Sequence, residues 1–326
     1  MQRNRLGNLF DVSALTLGGG GIGQVWGDTT QAEAVDTVLA AYQAGITFFD
    51  MAPLYGDGEA ERVMGLAFAD GYPGDVRITT KCMLGPITSD QIEARLRTSL
   101  EESFTRLQRQ FVDVFILHGF VIPDGWDDAI RPAALPHISV PYSTYVDVVV
   151  PVFEALIAEG KIGAFGVTAA SIQASNLAVL NATPAPAVVQ CITNVLDSPG
   201  GMAIADEPPQ PRAVIAAAKD RGIGVMGIRA VAAGALTAGI DRSVKPHSAE
   251  AKDYARAEGF RALAGEMGVS AAALAHRYAL SMPGVDTVVL GVKNRAELEE
   301  CLQAEGLPRL TASEMHEIEQ VVGATA

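Results

Sequence analysis

Four side chains that can donate, accept or orient a proton come at the ends of short apolar segments typical of buried strands. They are Asp50, Tyr55, Lys81 and His118. One such side chain alone is most often part of a structural ion pair or hydrogen bond. Four at the ends of neighbouring strands indicate a catalytic centre, because the carboxyl ends of parallel strands meet on one face.

The residue types predict what this centre does. A tyrosine hydroxyl titrates at about 10, too high for ready proton exchange at neutral pH. Lys81 is predicted to lower the pKa of Tyr55, with Asp50 pairing to Lys81 to hold it in place. His118 can hydrogen-bond a substrate oxygen or relay a proton. The set predicts a proton donor that acts on a carbonyl group and needs no metal ion. Because none of these residues supplies a hydride, it also predicts a nicotinamide cofactor as the hydride source.

Strand-length apolar runs alternate with helical patterns along the chain. The predicted strands are Ala14–Leu17, Thr47–Asp50, Val76–Lys81, Val112–His118, Ala164–Thr168, Ala187–Gln190, Gly224–Ile228 and Thr287–Leu290. The helical patterns are Gln31–Ala44, Ser89–Leu107, Ser171–Leu180, Arg212–Arg221, Ser270–Ser281 and Arg295–Glu305. Ser89 is the expected cap of the second helix, without a full capping box. The repeats predict an α/β protein, a (β/α)8 TIM barrel forming a single domain over residues 1–326.

One irregular segment, Gly119–Val150, is rich in Pro, Asp and Gly. It is too long for an ordinary connection and follows the fourth strand, on the face where barrels build their active sites. We expect a functional loop with some local structure.

A glycine-rich segment offers a competing interpretation. The G-x-G-x-x-G fingerprint of a Rossmann fold is matched by Gly18, Gly20 and Gly23. Residues 24–30 do not resemble the first turns of a helix, however, and Asp50 lies too far beyond the glycines to hold a ribose. The glycines instead predict a loop whose backbone comes close to a ligand or to Trp26.

Composition excludes several classes of protein. Of 326 residues, 49% are hydrophobic and 19% are charged, which is incompatible with a disordered chain. The net charge of -14 disfavours nucleic acid and membrane surfaces as partners. Three widely spaced cysteines, Cys82, Cys191 and Cys301, indicate neither a disulfide framework nor a metal site. We expect a soluble cytoplasmic protein, a monomer or a small homo-oligomer.

Nearly the whole chain resembles the aldo-keto reductase superfamily. The most specific match is the segment GITFFDMAPLYGDG, residues 45–58, followed by Glu61 and Gly65. Thr80-Lys81 and Leu117-His118 come in the expected order and spacing. The fifth to eighth strands match through residues 160–167, 188–194, 222–226 and 290–294.

The resemblance implies a nicotinamide dinucleotide extended across the carboxyl-terminal face, NADP(H) more often than NAD(H). It implies that Asp50, Tyr55, Lys81 and His118 form a catalytic tetrad. Tyr55 would be the general acid for hydride transfer to an aldehyde or ketone, a small-molecule carbonyl or alcohol substrate.

The resemblance also assigns residues to the cofactor. They are Gly19, Gly20, Thr168, Gln190, Arg229, Leu236, Gly291, Lys293, Asn294, Arg295, Glu297 and Cys301. Gln190 would hold the carboxamide, and Arg229 would reach the pyrophosphate or the substrate. Lys293, Asn294 and Arg295 would surround an adenosine 2′-phosphate, since cations at a helix N-terminus suit a phosphate dianion.

Several positions depart from the family pattern. Ala169 replaces an amide side chain, and Ile228 replaces an aromatic ring that often stacks on the nicotinamide. Glu297 stands where Arg or Gln is common and would repel a 2′-phosphate. Cys301 stands where Asn usually meets adenine. These changes leave the tetrad intact and bear on cofactor preference.

The substrate pocket and the direction of reaction are less constrained. Trp26, Phe120 and Trp126 are the candidate pocket residues, and an aromatic lining favours an apolar or mixed substrate. A NAD(P)-dependent sugar or alcohol dehydrogenase with the same tetrad is an alternative to a carbonyl reductase. A nucleotide-binding sensor or regulatory barrel without activity is another, which the complete tetrad disfavours.

Overall fold

The chain closes into a barrel of eight parallel strands. The computed structural model describes residues 1–170 and 172–323. The barrel strands are β1 (Leu15–Gly18), β2 (Phe48–Asp50), β3 (Arg77–Cys82), β4 (Val112–Leu117), β5 (Ile162–Ala169), β6 (Val188–Ile192), β7 (Gly224–Ile228) and β8 (Thr287–Leu290). Each pairs with the next, and β8 returns to β1. The predicted TIM barrel is confirmed, and the Rossmann alternative is excluded.

Helices surround the barrel. The longer ones within the described residues are α1 (Gln31–Gln43), α2 (Glu59–Ala67), α3 (Ile92–Leu107), α4 (Val150–Ala158), α5 (Gln173–Leu180), α6 (Pro211–Asp220), α7 (Ala249–Arg256), α8 (Glu258–Glu266), α9 (Ala271–Ser281), α10 (Arg295–Gly306) and α11 (Ala312–Val321). Ser171, the first residue of the predicted helical pattern that corresponds to α5, lies outside the described residues. None of the helices in the described part of the chain is long and apolar enough to cross a membrane.

The strands are apolar because both of their faces are covered. Every residue of β4, with the sequence VDVFIL, is buried. Helices cover the outer face of a parallel barrel, and the inward-facing side chains of the strands fill its interior. Near-continuous apolar runs are therefore required. Asp113 is the polar exception in β4. Its carboxylate accepts hydrogen bonds from Arg77 and from the backbone N–H of Ile78 on the adjacent strand.

The start of the helical segment before β4 differs from the sequence prediction. Ser89 lies inside a 3-10 turn, Ser89–Gln91, and the cap is Thr88. The Thr88 hydroxyl accepts from the backbone of Gln91, whose side chain accepts from the Thr88 N–H, so a full capping box is present. The prediction was wrong by one residue, because Thr and Ser both cap helices and only the backbone geometry distinguishes them.

An N-terminal hairpin covers the amino-terminal end of the barrel. Its strands, Arg3–Arg5 and Asp11–Ser13, pair antiparallel. Leu6 and Val12 are fully buried in a cluster with residues of β2, β4, β6 and β7. Because these apolar side chains fill the lower opening, the hairpin is a plug for that end of the barrel.

The segment Gly119–Val150 carries the local structure expected of it. Phe120–Ile122 and Ser139–Pro141 form a small parallel pair, with a short helix, Leu135–Ile138, between them. The segment then passes through a π-helical turn, Tyr145–Val149, into α4. The segment is therefore an ordered loop. Because it follows the carboxyl end of β4, it lies beside the carboxyl-terminal end of the barrel.

Candidate active site

Asp50 and Lys81 form a buried ion pair at the carboxyl-terminal end of the barrel. Asp50 ends β2 and lies opposite Thr79 on β3, two residues before Lys81. Because alternate residues of a strand share a face, Thr79 and Lys81 both reach Asp50. The Thr79 hydroxyl donates to Asp50 Oδ1, and Lys81 Nζ lies 2.9 Å from the same oxygen. Lys81 is fully buried, so its charge depends on this carboxylate.

The Lys81 ammonium also lies against Tyr55, on the loop after β2. Its Nζ is 3.2 Å from the Tyr55 hydroxyl oxygen and 4.6 Å from the ring centroid. It donates a further hydrogen bond to the Met51 carbonyl at 3.0 Å. Tyr55 is partly exposed, whereas Lys81 is not. Tyr55, the candidate proton donor, therefore lies nearer the surface than the Lys81 amine to which its hydroxyl is hydrogen-bonded.

The pKa of Tyr55 does not shift in the predicted direction. Burial raises it, the Lys81 ammonium lowers it and the Asp50 carboxylate raises it, and the net result is a pKa above the ordinary value. Burial similarly disfavours the charged form of Lys81, but Asp50 and Tyr55 together hold its pKa above the usual range. The sequence prediction omitted desolvation, which here exceeds the effect of the neighbouring charge. Tyr55 is therefore protonated at neutral pH.

His118 follows β4 and meets Tyr55 edge to face. The ring centroids are 5.6 Å apart and the rings cross at 81°. The backbone N–H of His118 donates to the Cys82 carbonyl at 2.8 Å, which fixes the end of β4 beside β3. Burial, and then the charge of Lys81, lowers the pKa of His118 to about 3. The imidazole is neutral at pH 7 and suited to hydrogen-bonding a substrate oxygen.

Gln190, predicted to hold the nicotinamide carboxamide, and Thr168, predicted to contact the cofactor, lie opposite each other on β6 and β5. Both are buried. Gln190 Nε2 donates to Asp50 Oδ2 at 3.0 Å. The Thr168 hydroxyl donates to the Leu117 carbonyl, one residue before His118, at 3.4 Å. Gln190 is thus hydrogen-bonded to the tetrad itself, and Thr168 to the backbone beside it.

Arg229, at the end of β7, has the features of a ligand-binding residue. Its Nε and Nη2 atoms are buried and have no hydrogen-bond partner within the described part of the chain. Its backbone is left-handed, with φ 60°, which costs about 1–3 kcal/mol in a residue other than glycine. Burial lowers its pKa, against the pull of Asp253 and Glu250. Unpaired guanidinium nitrogens suit an anionic group such as a pyrophosphate.

The predicted close approach of the glycine loop to Trp26 is present. A Cβ on Gly20 would lie 2.6 Å from Trp26 Nε1, and one on Gly291 would lie 3.3 Å from the same atom. The Arg242 guanidinium lies 5.3 Å from the Trp26 ring centroid. Neighbouring Gly19 has equally little room, since its Cβ would lie 2.9 Å from Tyr55 Cδ2. The structure therefore places Trp26 with the glycines predicted to contact the cofactor.

The residues predicted to surround a 2′-phosphate gather at the first turn of α10, but each cation already has carboxylate partners. Lys293 pairs with Asp241 and Glu297. Arg295 pairs with Glu33 and Asp36. The remaining residue, Asn294, is the helix cap and accepts from the Glu297 N–H at 3.0 Å.

Two residues predicted to contact the cofactor lie in the protein interior. Leu236 is fully buried in the main apolar core. Cys301 is buried with its Sγ 3.6 Å from His276 Nε2, and burial raises the pKa of its thiol. Neither side chain is exposed to a ligand, because both are buried in the main apolar core.

Phe120 and Trp126 lie together, away from Trp26. Phe120 is buried in a small apolar cluster with Ile172, Ile192 and Ile204, and Trp126 packs against that cluster. A cleft of about 240 Å³ beside Trp126 has an acidic lining that includes Asp128, Asp206 and Glu207. The three predicted pocket residues therefore do not form one group: Phe120 and Trp126 share an apolar cluster, and Trp26 packs on Gly20 and Gly291.

Several residues of the site were not identified from the sequence. Thr79 and the Met51 carbonyl complete the surroundings of Asp50 and Lys81. Their signal is weak, since a strand threonine and a backbone oxygen are common in any barrel. Glu33, Asp36 and Asp241, which also pair with Arg295 and Lys293, come from α1 and from the loop after β7, far away in sequence. Only the fold brings them together.

These features define a barrel with a candidate proton donor, a buried amine and an unpaired buried guanidinium at one end. The model of the Aldo/keto reductase family matches residues 14–322, so the chain belongs to the Aldo/keto reductase family, a family of oxidoreductases that use nicotinamide cofactors.

The chain is similar to several characterised proteins. It is 29% identical to L-galactose dehydrogenase of Arabidopsis thaliana over 96% of this chain and 92% of that protein. It is 26% identical to the NADH-specific methylglyoxal reductase of Escherichia coli over 71% of this chain and 67% of that protein. The glycerol dehydrogenase of Gluconobacter oxydans has a similar fold, with a TM-score of 0.72 at 22% identity over 98% and 95% of the two chains.

Proposed function

We propose that the protein reduces an aldehyde or ketone to an alcohol with a nicotinamide cofactor, and that Tyr55 is the general acid. The observation that carries this proposal is the position of the Lys81 ammonium, 2.9 Å from Asp50 Oδ1 and 3.2 Å from the Tyr55 hydroxyl. A cation held there stabilises negative charge on the tyrosine oxygen as its proton leaves.

The bound cofactor supplies the hydride that reaches the carbonyl carbon. Tyr55 donates its proton to the carbonyl oxygen, so that carbon and oxygen together gain the two hydrogens of the alcohol. Lys81 stabilises the phenolate left behind, and Asp50 holds Lys81 in place. Neutral His118, edge-on to the Tyr55 ring, hydrogen-bonds the substrate oxygen and orients it towards Tyr55.

In this proposal Gln190 and Thr168 would hold the nicotinamide, and the unpaired nitrogens of Arg229 would bind the pyrophosphate. The support is the hydrogen bond from Gln190 to Asp50, which places the amide beside the tetrad, and the burial of the Arg229 donors. For the adenosine end, the sequence favours NADP(H) over NAD(H). The carboxylate partners of Lys293 and Arg295 favour the opposite choice.

Oxidation of a sugar or alcohol by the same residues is the second candidate. The similarity to L-galactose dehydrogenase over 96% of this chain favours it. Tyr55 would then accept the alcohol proton, and the oxidised cofactor would take the hydride. A regulatory barrel without activity has less support, because the Asp50–Lys81–Tyr55 contacts are complete.

Turnover of carbonyl compounds with reduced cofactor, and of sugars and alcohols with oxidised cofactor, tests the proposal directly. We expect Tyr55→Phe to lower kcat by about 100-fold or more, as general-acid catalysis commonly contributes that much, while cofactor binding is kept. Tyr42→Phe is the matched control, since the Tyr42 hydroxyl bonds only to Asp75 on the exposed surface. Full activity in Tyr55→Phe would exclude Tyr55 as the proton donor.

A further inference from the structure

The predicted adenosine end of the cofactor cleft is unusually acidic. We propose that Glu33 and Glu297 make the protein select NAD(H) and reject NADP(H), by occupying the donors that a 2′-phosphate would need. This inference rests on the proposed function, because it assumes that a nicotinamide dinucleotide occupies the cleft.

Three of the residues assigned to the cofactor, Gly19, Gly20 and Gly291, are glycines that follow β1 and β8 at the carboxyl-terminal end of the barrel. Gly19 lies against Tyr55, and Gly20 and Gly291 both lie under the Trp26 indole. Lys293 follows Gly291 by two residues and contacts the loop that carries Trp26, since its carbonyl accepts from the Thr29 hydroxyl at 2.9 Å. In the arrangement implied by the family resemblance, a dinucleotide with its nicotinamide at the tetrad would have its adenosine at the first turn of α10.

Arg295, the first residue of α10, is fully engaged by Glu33. Oε1 of Glu33 accepts from the Arg295 backbone N–H at 3.0 Å and from its Nε at 3.1 Å, while Oε2 lies 2.7 Å from Nη2. A second carboxylate, Asp36, lies 3.4 Å from Nη1. The hydrogen bonds from Arg295 hold the pKa of Glu33 below its usual range, so Glu33 is charged.

Lys293 is engaged in the same manner by Glu297. Oε1 of Glu297 lies 2.8 Å from Nζ, and Oε2 accepts from the Lys293 backbone N–H at 2.8 Å. Asp241, from the loop after β7, pairs with the same ammonium. Both oxygens of Glu297 are thus bound at the start of the helix, where a phosphate would bind.

The helix N-terminus has correspondingly little to offer an anion. The N–H groups of Lys293, Arg295 and Glu297 donate to Glu297, Glu33 and the Asn294 side chain. Four carboxylates contact two cations, which leaves an excess of two negative charges. A 2′-phosphate dianion would have to displace a chelating carboxylate and still face the others, and such like-charge contacts are strongly unfavourable.

A ribose with free hydroxyls has the opposite complementarity. Each hydroxyl carries one donor, and carboxylate oxygens are acceptors with room for more than one hydrogen bond. Glu33 and Glu297 can accept from such hydroxyls while they keep their cationic partners. The carboxylates therefore change the sequence-based expectation of NADP(H) into one of NAD(H).

Direct titration of the full chain with NADH and with NADPH, followed by Trp fluorescence, is the first test. We expect a Kd for NADH that is lower than that for NADPH by about tenfold or more, which corresponds to about 1.4 kcal/mol. Binding of both at equal strength, or a preference for NADPH, would overturn the inference and leave the proposed function standing. Binding of neither would overturn both.

The double substitution Glu33→Gln with Glu297→Gln tests the residues themselves. It keeps the size of both side chains and releases Arg295 and Lys293 from charged partners. We expect NADPH to bind about tenfold more tightly than to the wild type, with a much smaller change for NADH. An unchanged ratio of the two Kd values in the folded variant would exclude Glu33 and Glu297 as the selecting residues.

The matched control is Glu93→Gln with Glu101→Gln. It removes the same two charges, from exposed ion pairs with Arg97 and Lys161 on the far side of the barrel. The control should leave both affinities unchanged, and a shift equal to that of the first pair would assign the effect to net charge alone. If Glu33→Gln with Glu297→Gln does not fold, the ratio of the Kd values for NADPH and NADH is measured in each single variant instead.

Discussion

The side-chain amide of Gln190 donates a hydrogen bond of 3.0 Å to Asp50 Oδ2, the carboxylate whose other oxygen binds Lys81. One buried aspartate thus holds both the amine beneath the candidate proton donor and the amide predicted to face the nicotinamide. In the proposed reaction these two groups serve different molecules, the substrate and the cofactor. Their common anchor fixes the relative position of the two reactants.

Asp50→Asn should therefore disturb both stability and catalysis. The substitution leaves the fully buried Lys81 amine without its charged partner, and breaking a buried pair in this way costs about 3–5 kcal/mol. We expect a fall of that order in the free energy of unfolding, measured by chemical denaturation, together with a large loss of kcat. Asp113→Asn is the control, since Asp113 is a buried carboxylate paired with Arg77 at the amino-terminal ends of β4 and β3, opposite the ends that carry Lys81 and His118. If it lowers kcat as much as Asp50→Asn, the loss reflects stability and not positioning.

The two directions of reaction should differ in pH dependence. Because burial keeps the pKa of Tyr55 above its ordinary value, the proton donor for reduction is fully protonated from about pH 6 to about pH 9. Reduction should be flat over that range, and oxidation, which needs the phenolate, should accelerate as the pH rises. Lys81→Met removes the charge that opposes burial and should shift the oxidation profile to still higher pH. A Lys81→Met profile identical to that of the wild type would exclude Lys81 from control of the tyrosine proton.

His118 should remain uncharged in the folded protein at all pH values where the enzyme works. Its pKa is lowered to about 3, against about 6.5 in an unfolded chain. The unfolded state therefore binds more protons between these values, and stability should be greatest above about pH 6.5 and fall as the pH decreases towards 3. We expect His118→Gln to lose less stability than the wild type between pH 7 and pH 4. Equal losses, or an imidazole resonance that titrates near 6.5 by NMR, would contradict this.

Gly21→Ala should be strongly destabilising. A Cβ on Gly21 would lie 1.9 Å from the Val292 carbonyl oxygen, and backbone at both places is fixed by the barrel. Overpacking of this kind costs about 1–3 kcal/mol and sometimes more, so the melting temperature should fall by several degrees. Gly74→Ala is the control, since no atom lies within 4 Å of its Cβ position. A melting temperature for Gly21→Ala equal to that of the control would mean that the glycine loop can move.

The fold and the convergence of Asp50, Tyr55, Lys81 and His118 were predictable because their signals are local. Each strand is a short apolar run, and Asp50, Lys81 and His118 stand at the ends of such runs. The eight strands lie within two residues of their predicted positions. The reversal of the Tyr55 pKa was not predictable, because desolvation depends on how many atoms surround the hydroxyl in three dimensions.

The charge balance around α10 was also hidden in the sequence. Lys293 and Arg295 were identified as phosphate ligands because they stand beside each other at a helix start. Their partners Glu33, Asp36 and Asp241 come from segments more than 50 residues away in the chain. Ion pairs between distant segments carry no spacing pattern, so only the folded structure shows that the cations are already bound.

The N-terminal hairpin has a consequence for the order of events in turnover. Leu6 and Val12 fill the lower end of the barrel, and Asp286 bonds the hairpin to β7 through the N–H groups of Gly7 and Val225. In the proposed reaction, substrate and cofactor would therefore both enter from the carboxyl-terminal end of the barrel. The reactant that binds deeper would have to bind first, and its product would have to leave last. The kinetics should therefore be sequential and ordered, with the outer product released before the deeper one.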